Sequence, residues 1–346
     1  MPQTTLPASN QSQNDAAPLR TAVVGVGSLG RQHARVHATV AEEGLSKFVS
    51  VCDLNEATAR AVGEERKTGW TTNWGDLIGK VDAVSIAVPT ELHCEIGCAL
   101  LEAGIHVLVE KPISRTLEEA DLMIKAAEKG NALLQVGHLE RFNPAMVALR
   151  PHVKKPVYFE IHRVGEFTAR SLDIDVVLDL MIHDLDIVQW LVGEEVEVTN
   201  IHAVGIEILT NKVDAANARL EFSSGAVANI TASRVGTEKI RKMRFFQPHD
   251  YIAIDYTTKR ASVSSLDPPT ATGSWPGVHV KNLDVVDVEP LRAEIISFLD
   301  SARNGTPAAI SGSDGRNALS LALRTLERIR EHAEHPGVSG LSANVV

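Results

Sequence analysis

The chain is poor in cysteine, short of positive charge and free of long apolar runs. Its 346 residues include only three cysteines, Cys52, Cys94 and Cys98. An odd count without framework spacing argues against a disulfide-built secreted scaffold and for a reducing, cytoplasmic setting. Cys94 and Cys98 stand four apart on an expected helix, as half of a metal site would. No third and fourth ligand lies nearby, so buried thiols and no metal are expected. Lys and Arg number 34 against 44 Asp and Glu, a net charge of −10. That balance argues against a nucleic-acid partner. No apolar run reaches membrane-spanning length, so no membrane role is expected. The polar stretch Met1–Pro18 lacks a basic start and an apolar core. It reads as a disordered leader rather than a signal peptide. What remains is an ordinary globular balance, 44% hydrophobic and 23% charged, in a chain long enough for two domains.

Thr21–Arg35 is the most informative stretch. An apolar run, Ala22–Val24, leads into Gly25, Gly27 and Gly30, and a helical segment follows. This is the strand, glycine turn and helix of a dinucleotide site. Gly25 permits the tight turn, Gly27 lets backbone approach a pyrophosphate, and Gly30 allows close helix–strand packing. The N–H groups that open the helix, around Ser28 and Leu29, then face phosphate. A second apolar run, Val49–Cys52, ends at Asp53, the place for an acid that binds the adenosine ribose. A carboxylate there favours NAD over NADP, and no arginine directly follows it.

Apolar runs and helical segments then alternate, predicting a doubly wound parallel sheet. Strands are expected to end at Pro89-Thr90, Glu110-Lys111-Pro112 and Gly137-His138. Ligands bind beyond the carboxyl ends of such strands. A nucleotide lying along that edge reaches Gly25–Gly30, Asp53, Pro89-Thr90, Glu110-Lys111 and His138 together. From Val157 the period changes to two, and strand-like runs follow at 200–208, 215–222, 226–235, 243–246 and 251–256. These predict an α+β second domain on a large, mainly antiparallel sheet. Pro268–Gly277 reads as a loop. Helices are expected at Pro290–Ala302 and Gly315–His332. The expected units are a leader at 1–18, an NAD-binding Rossmann domain at 19–137, a substrate-binding and oligomerisation domain at 138–335 and a tail at 336–346. A wide sheet with one open face fits a homodimer or homotetramer formed through it.

Asp175–Val192 reads as a helix stopped by Gly193. On an otherwise apolar helix, Asp179, His183 and Asp186 fall at i, i+4 and i+7, one polar stripe. A carboxylate one turn from an imidazole orients a general base. The same pattern also fits a structural His–Asp pair at a domain seam. Lys111, at the end of a Rossmann strand, lies where it can meet both nicotinamide and a substrate hydroxyl and stabilise an alkoxide.

Taken together, Gly25-x-Gly27-x-x-Gly30-x-x-His33, Glu110-Lys111-Pro112 and Asp179-x-x-x-His183 resemble the Gfo/Idh/MocA oxidoreductases. The resemblance covers nearly everything after the leader. It implies that His183 is the general base, that Asp179 assists it and that Lys111 positions substrate and nicotinamide. It also implies that Glu110, Pro89, Thr90 and His93 line the nicotinamide half of the site. Two segments, 136–145 and 171–187, resemble the branch that oxidises the 3-hydroxyl of UDP-N-acetylglucosamine with NAD, feeding 3-amino sugars of lipid A. In that reading Arg141, Arg163 and Arg170 neutralise the substrate diphosphate and Asn143 binds sugar or amide groups. The alternative for each arginine is a surface ion pair. Other readings are a dehydrogenase of inositol, a free sugar or a UDP-sugar acid, and a regulator that binds NAD without turnover.

Overall fold

The computed structural model describes residues 17–166, 174–193, 195–266 and 277–335. Most of the leader, the tail, Arg170 and nearly all of the 268–277 loop lie outside the described residues. Short buried apolar runs form β1 (Arg20–Val24), β2 (Lys47–Cys52), β3 (Gly69–Thr71), β4 (Ala83–Ile86), β5 (His106–Glu110) and β6 (Leu134–Gly137). They pair in parallel in the order β3-β2-β1-β4-β5-β6. Helices α1 (Ser28–Glu42), α2 (Glu56–Arg66), α3 (His93–Glu102) and α4 (Leu117–Lys129) connect the strands. Their starts are written locally: Asn55 caps α2 and Thr116 caps α4 by accepting backbone N–H bonds. This doubly wound order puts the loops after β1, β2, β4, β5 and β6 on one edge.

After the short α5 (Pro144–Leu149) comes the second sheet. Its strands are β7 (Tyr158–Glu166), β8 (Val198–Ile206), β9 (Ala215–Phe222), β10 (Val227–Gly236), β11 (Ile240–Gln247), β12 (Asp250–Asp255), β13 (Arg260–Leu266) and β14 (Val278–Asn282). The order is β14-β13-β12-β11-β7-β10-β9-β8, antiparallel except where β7 meets β10. The inner face carries Phe159, Ile161, Leu220, Ile230, Met243 and Phe245, all buried. The helical stretch from Val177 to Val192 packs on it through Val177, Met181, Leu185 and Val188. Strands β3, β13 and β14 answer to no sequence-based expectation. In β14 every residue is exposed, so no alternation marks it.

Two C-terminal helices join the sheets. In α7 (Pro290–Asn304), Leu291, Ile295 and Phe298 pack with Val36 and Val40 of α1 and Leu108 of β5. The chain thus returns to the Rossmann sheet after completing the second one. In α8 (Gly312–Ala333), Leu319 joins the first core while Leu321, Ala322 and Leu326 join the second. Gly312 and Gly315 let α8 lie flat on β6: a Cβ at either would meet Leu134 or Val136 at 2.8 or 2.6 Å. The site edge of the first domain is therefore held against the inner face of the second.

Candidate active site

The glycine turn folds as its residues require. Gly25 has φ +82°, and a Cβ there would meet the Ala87 carbonyl oxygen at 2.7 Å. A Cβ on Gly30 would stand 1.8 Å from the Gly25 carbonyl oxygen. Gly27 differs, because nothing lies within 4 Å of its Cβ direction. Gly27 caps α1 without a side chain, and the first turn carries no acid. Gly27, Ser28 and Leu29 are exposed. An uncapped helix start beside open space suits a pyrophosphate, so these residues fit NAD. Asp53 stands beside the turn and accepts from Val26 N–H at 2.9 Å and Asn55 N–H at 2.9 Å. The carboxylate expected at the ribose thus also braces the turn.

The ends of β4 and β5 form the next part of the edge. Pro89 is exposed and Thr90 half-buried. His93 is not open to a ligand. It is 1% exposed, and its ring nitrogens lie 3.0 Å from the Pro112 and Val88 carbonyl oxygens. It ties the two loops together, which corrects the expectation that it lines the nicotinamide pocket. Glu110 pairs with His33 of α1 at 2.8 Å. Burial works against its charge, yet the His33 hydrogen bond and the charges of His33 and Lys111 hold its pKa below the usual value. His33 was visible as the last residue of the glycine motif but had been given no site role.

Lys111 reaches across to the second domain. Its Nζ donates to the Asp179 backbone carbonyl at 2.7 Å and lies 3.4 Å from Asp179 Oδ1. The expected pairing of Asp179 with His183 is therefore corrected. Val177–Met181 winds as a π-helix before α6 (Ile182–Val192) begins. Within that winding Asp179 meets Lys111. Asp186 also leaves the expected stripe and binds Arg141. His183 stands edge-on to His138, ring centroids 6.4 Å apart. Its Nδ1 is buried without a partner. Burial, then the charges of Lys111 and Arg163, push the His183 pKa well below the ordinary value. These effects favour the neutral form of the ring. His138 is fully buried behind it, both ring nitrogens unpartnered, its pKa also lowered by burial.

The residues expected at a diphosphate are placed otherwise. Arg141 is held by Asp186 at 2.7 Å and Asp314 at 3.1 Å. Arg163 is held by Asp184 and Glu140, each at 2.7 Å. Both pairs are buried, so these arginines are neither surface ion pairs nor open to a ligand. Asn143 caps α5, accepting from Ala145 N–H at 3.1 Å, and is 7% exposed. Arg241, which drew no notice in the sequence, lies half-buried on the inner face of β11. The period of two, with Met243 and Phe245 inward, was the signal that places it there. Cys52 is buried, but Cys94 and Cys98 are only half-buried, with sulfurs 3.9 Å apart.

With the geometry in view, comparison with known proteins is direct. A family model described as "Oxidoreductase family, NAD-binding Rossmann fold" matches residues 19–138. A second, "GFO/IDH/MocA C-terminal domain", matches residues 146–246. UDP-N-acetylglucosamine 3-dehydrogenase of Acidithiobacillus ferrooxidans is 38% identical over 307 residues, 88% of this chain and 96% of that one. Myo-inositol 2-dehydrogenase of Thermotoga maritima is 27% identical, covering 90% of this chain and 97% of that one. A solved structure of the Acidithiobacillus ferrooxidans enzyme superposes with TM-score 0.84 at 36% identity, over 90% of this chain and 98% of that one. Levoglucosan dehydrogenase in complex with NADH and levoglucosan shares the fold, with TM-score 0.80 at 18% identity, over 91% of this chain and 98% of that one.

Proposed function

Because this chain belongs to the Gfo/Idh/MocA oxidoreductases and opens with their NAD-binding Rossmann domain, we propose that it oxidises a secondary hydroxyl of a nucleotide-linked sugar to a ketone. The substrate in this reading is UDP-N-acetylglucosamine, and the hydroxyl is the one on carbon 3. The observation that carries it is the meeting of Lys111 from the Rossmann edge with Asp179 from the second domain, beside a neutral His183. A chain that only bound NAD would have no need of that set. The whole-length likeness to a UDP-N-acetylglucosamine 3-dehydrogenase supports the substrate.

When bound, NAD supplies the hydride acceptor. The backbone of Gly27, Ser28 and Leu29 would hold its pyrophosphate, Asp53 its ribose, and Pro89, Thr90 and Glu110 would line the approach to its nicotinamide. His183 takes the hydroxyl proton onto its imidazole. Lys111 donates to the oxygen as negative charge develops there. Asp179 holds the Lys111 ammonium in place through its carbonyl and carboxylate. His33 and Glu110 brace the strand end that carries Lys111, and His138 packs behind His183. In this reading residues 19–137 bind the cofactor, and 138–335 shape the substrate site and the contact with a second copy. Phe246, Val204 and Ile206, exposed on strands of the second sheet, support such a contact. Light scattering on the full chain checks it, and a purely monomeric protein would overturn it. Three unbridged thiols agree with a cytoplasmic location.

The test is to incubate the full chain with NAD and UDP-N-acetylglucosamine, adding a 3-aminotransferase and glutamate to draw the ketone forward. NADH absorbance and product mass are followed together. A 3-amino sugar nucleotide, the kind of precursor used for lipid A, is the expected product. Oxidation of inositol or a simple hexose instead would leave the family and remove the nucleotide sugar. NAD binding with no turnover would turn the reading towards a regulator.

A further inference from the structure

Four arginines reach the inner side of the second domain, and they differ in one respect. The side chains of Arg141, Arg163 and Arg234 are 6%, 3% and 7% exposed, and that of Arg241 is 37% exposed. The first three are matched with carboxylates at hydrogen-bond distance: Asp186 and Asp314, Asp184 and Glu140, and Asp214. Among the described residues Arg241 pairs only with Glu140, at 3.8 Å, and that carboxylate already accepts from Arg163 at 2.7 Å. Of the four, Arg241 is the one with no carboxylate at hydrogen-bond distance among the described residues.

The register links it to the reacting centre through Arg163. In the β11–β7 pairing Arg241 stands directly opposite Arg163. Arg163 in turn binds Asp184, the residue after His183. Its charge acts on His183, and the charge of Asp179 acts on it. A half-buried guanidinium beside low-dielectric walls binds a doubly oxygenated anion strongly and through paired bonds.

We propose that Arg241 is the anion-binding group of the substrate site and takes a phosphate of the nucleotide-linked sugar. This rests on the reading of Lys111 and His183 as the centre where the sugar reacts. It also reassigns the diphosphate from Arg141 and Arg163, whose guanidinium groups are sealed by carboxylates, to a residue outside the sequence motifs.

The experiment compares the NAD-loaded wild type with Arg241→Ala and Arg241→Lys. Calorimetry measures UDP and uridine binding, and steady-state kinetics measure UDP-N-acetylglucosamine. In Arg241→Ala the UDP dissociation constant is expected to rise by about 10- to 100-fold, the worth of a charged hydrogen-bonded contact. Uridine binding changes by less than about threefold, since uridine has no phosphate. KM for the nucleotide sugar rises with the UDP constant, whereas kcat falls far less. Arg241→Lys recovers part of the loss, because it keeps the charge but not the paired geometry. Unchanged UDP affinity in Arg241→Ala, or equal loss of UDP and uridine, overturns the proposal. So does a wild type that does not bind UDP. A wild type that binds UDP through Arg241 yet never oxidises the sugar nucleotide overturns the proposed reaction and keeps the anion site.

Discussion

Gly27 and Gly30 lie three residues apart in one turn, and the structure separates their duties. A methyl group at Gly27 meets nothing within 4 Å, and the backbone there has φ −67°, which any residue adopts. Gly27→Ala should therefore fold normally. Exchanging glycine for alanine at a helix start costs about 1 kcal/mol or less. In a chain of this size that lowers the melting temperature by about 1–2 °C. The same methyl fills the space where backbone N–H groups must approach a pyrophosphate. Losing one such hydrogen bond to a charged group costs about 1.5–3 kcal/mol, or about 10- to 150-fold in NAD affinity. Gly30→Ala is a different lesion, because its Cβ would stand 1.8 Å from the Gly25 carbonyl oxygen. The turn must move, at a cost of about 3 kcal/mol or more. Thermal melts with and without NAD, together with NAD titration calorimetry, read both quantities. The reasoning fails if Gly27→Ala binds NAD within threefold of the wild type. It fails equally if Gly27→Ala melts as low as Gly30→Ala.

Other perturbations test the rest of the site. Lys111→Ala is expected to lower kcat by at least about 100-fold while NAD still binds; turnover at the wild-type rate would remove Lys111 from the chemistry. The same change takes away a charge that depresses His183, so the acid limb of kcat/KM should move to higher pH. Arg163→Met leaves Asp184 and Glu140 buried without their cation and should cost about 3–5 kcal/mol in urea unfolding. Glu294 is fully buried with both carboxylate oxygens unpartnered, and burial, then Glu110, push its pKa well up. Its folded pKa lies above its unfolded value, so this site favours folding less as pH rises above about 4.3. Glu294→Gln should melt higher than the wild type, with a gap that widens as pH rises above about 4.3; a constant gap would contradict this. His37 has the opposite sign. Burial, then the charge of His33, lower its pKa to about 3. Stability from its neutral form is complete above about pH 6.5 and is lost as pH falls towards 3. Between pH 6.5 and 5 the loss is about 2 kcal/mol, and His37→Gln should flatten that part of the stability curve.

What could be read in the chain beforehand was whatever is written locally. A strand ending in glycines, an acid after the next strand and a Lys-Pro after a third each carry their meaning within a few residues. The parallel order then brings Gly27, Asp53, Thr90 and Lys111 to one edge without further information. Pairings between distant side chains were not legible in this way. Asp179 and His183 look like neighbours on an ideal helix, but Asp179, within the π winding at Val177–Met181, meets a lysine 68 residues earlier. Arg141 and Arg163 look available for phosphate because spacing does not say that Asp186 and Asp184 turn inward to meet them. Helix α7 has an evident apolar face, yet an apolar face carries no address, and Phe298 packs on the first sheet rather than the second. Arg241 shows the same limit from the other side. Its inward direction follows from the alternation of β11, but its openness depends on Glu140 being already taken by Arg163 across the strand pair. An exposed charge at a site is thus defined by what its neighbours have already bound, and only the assembled fold states that.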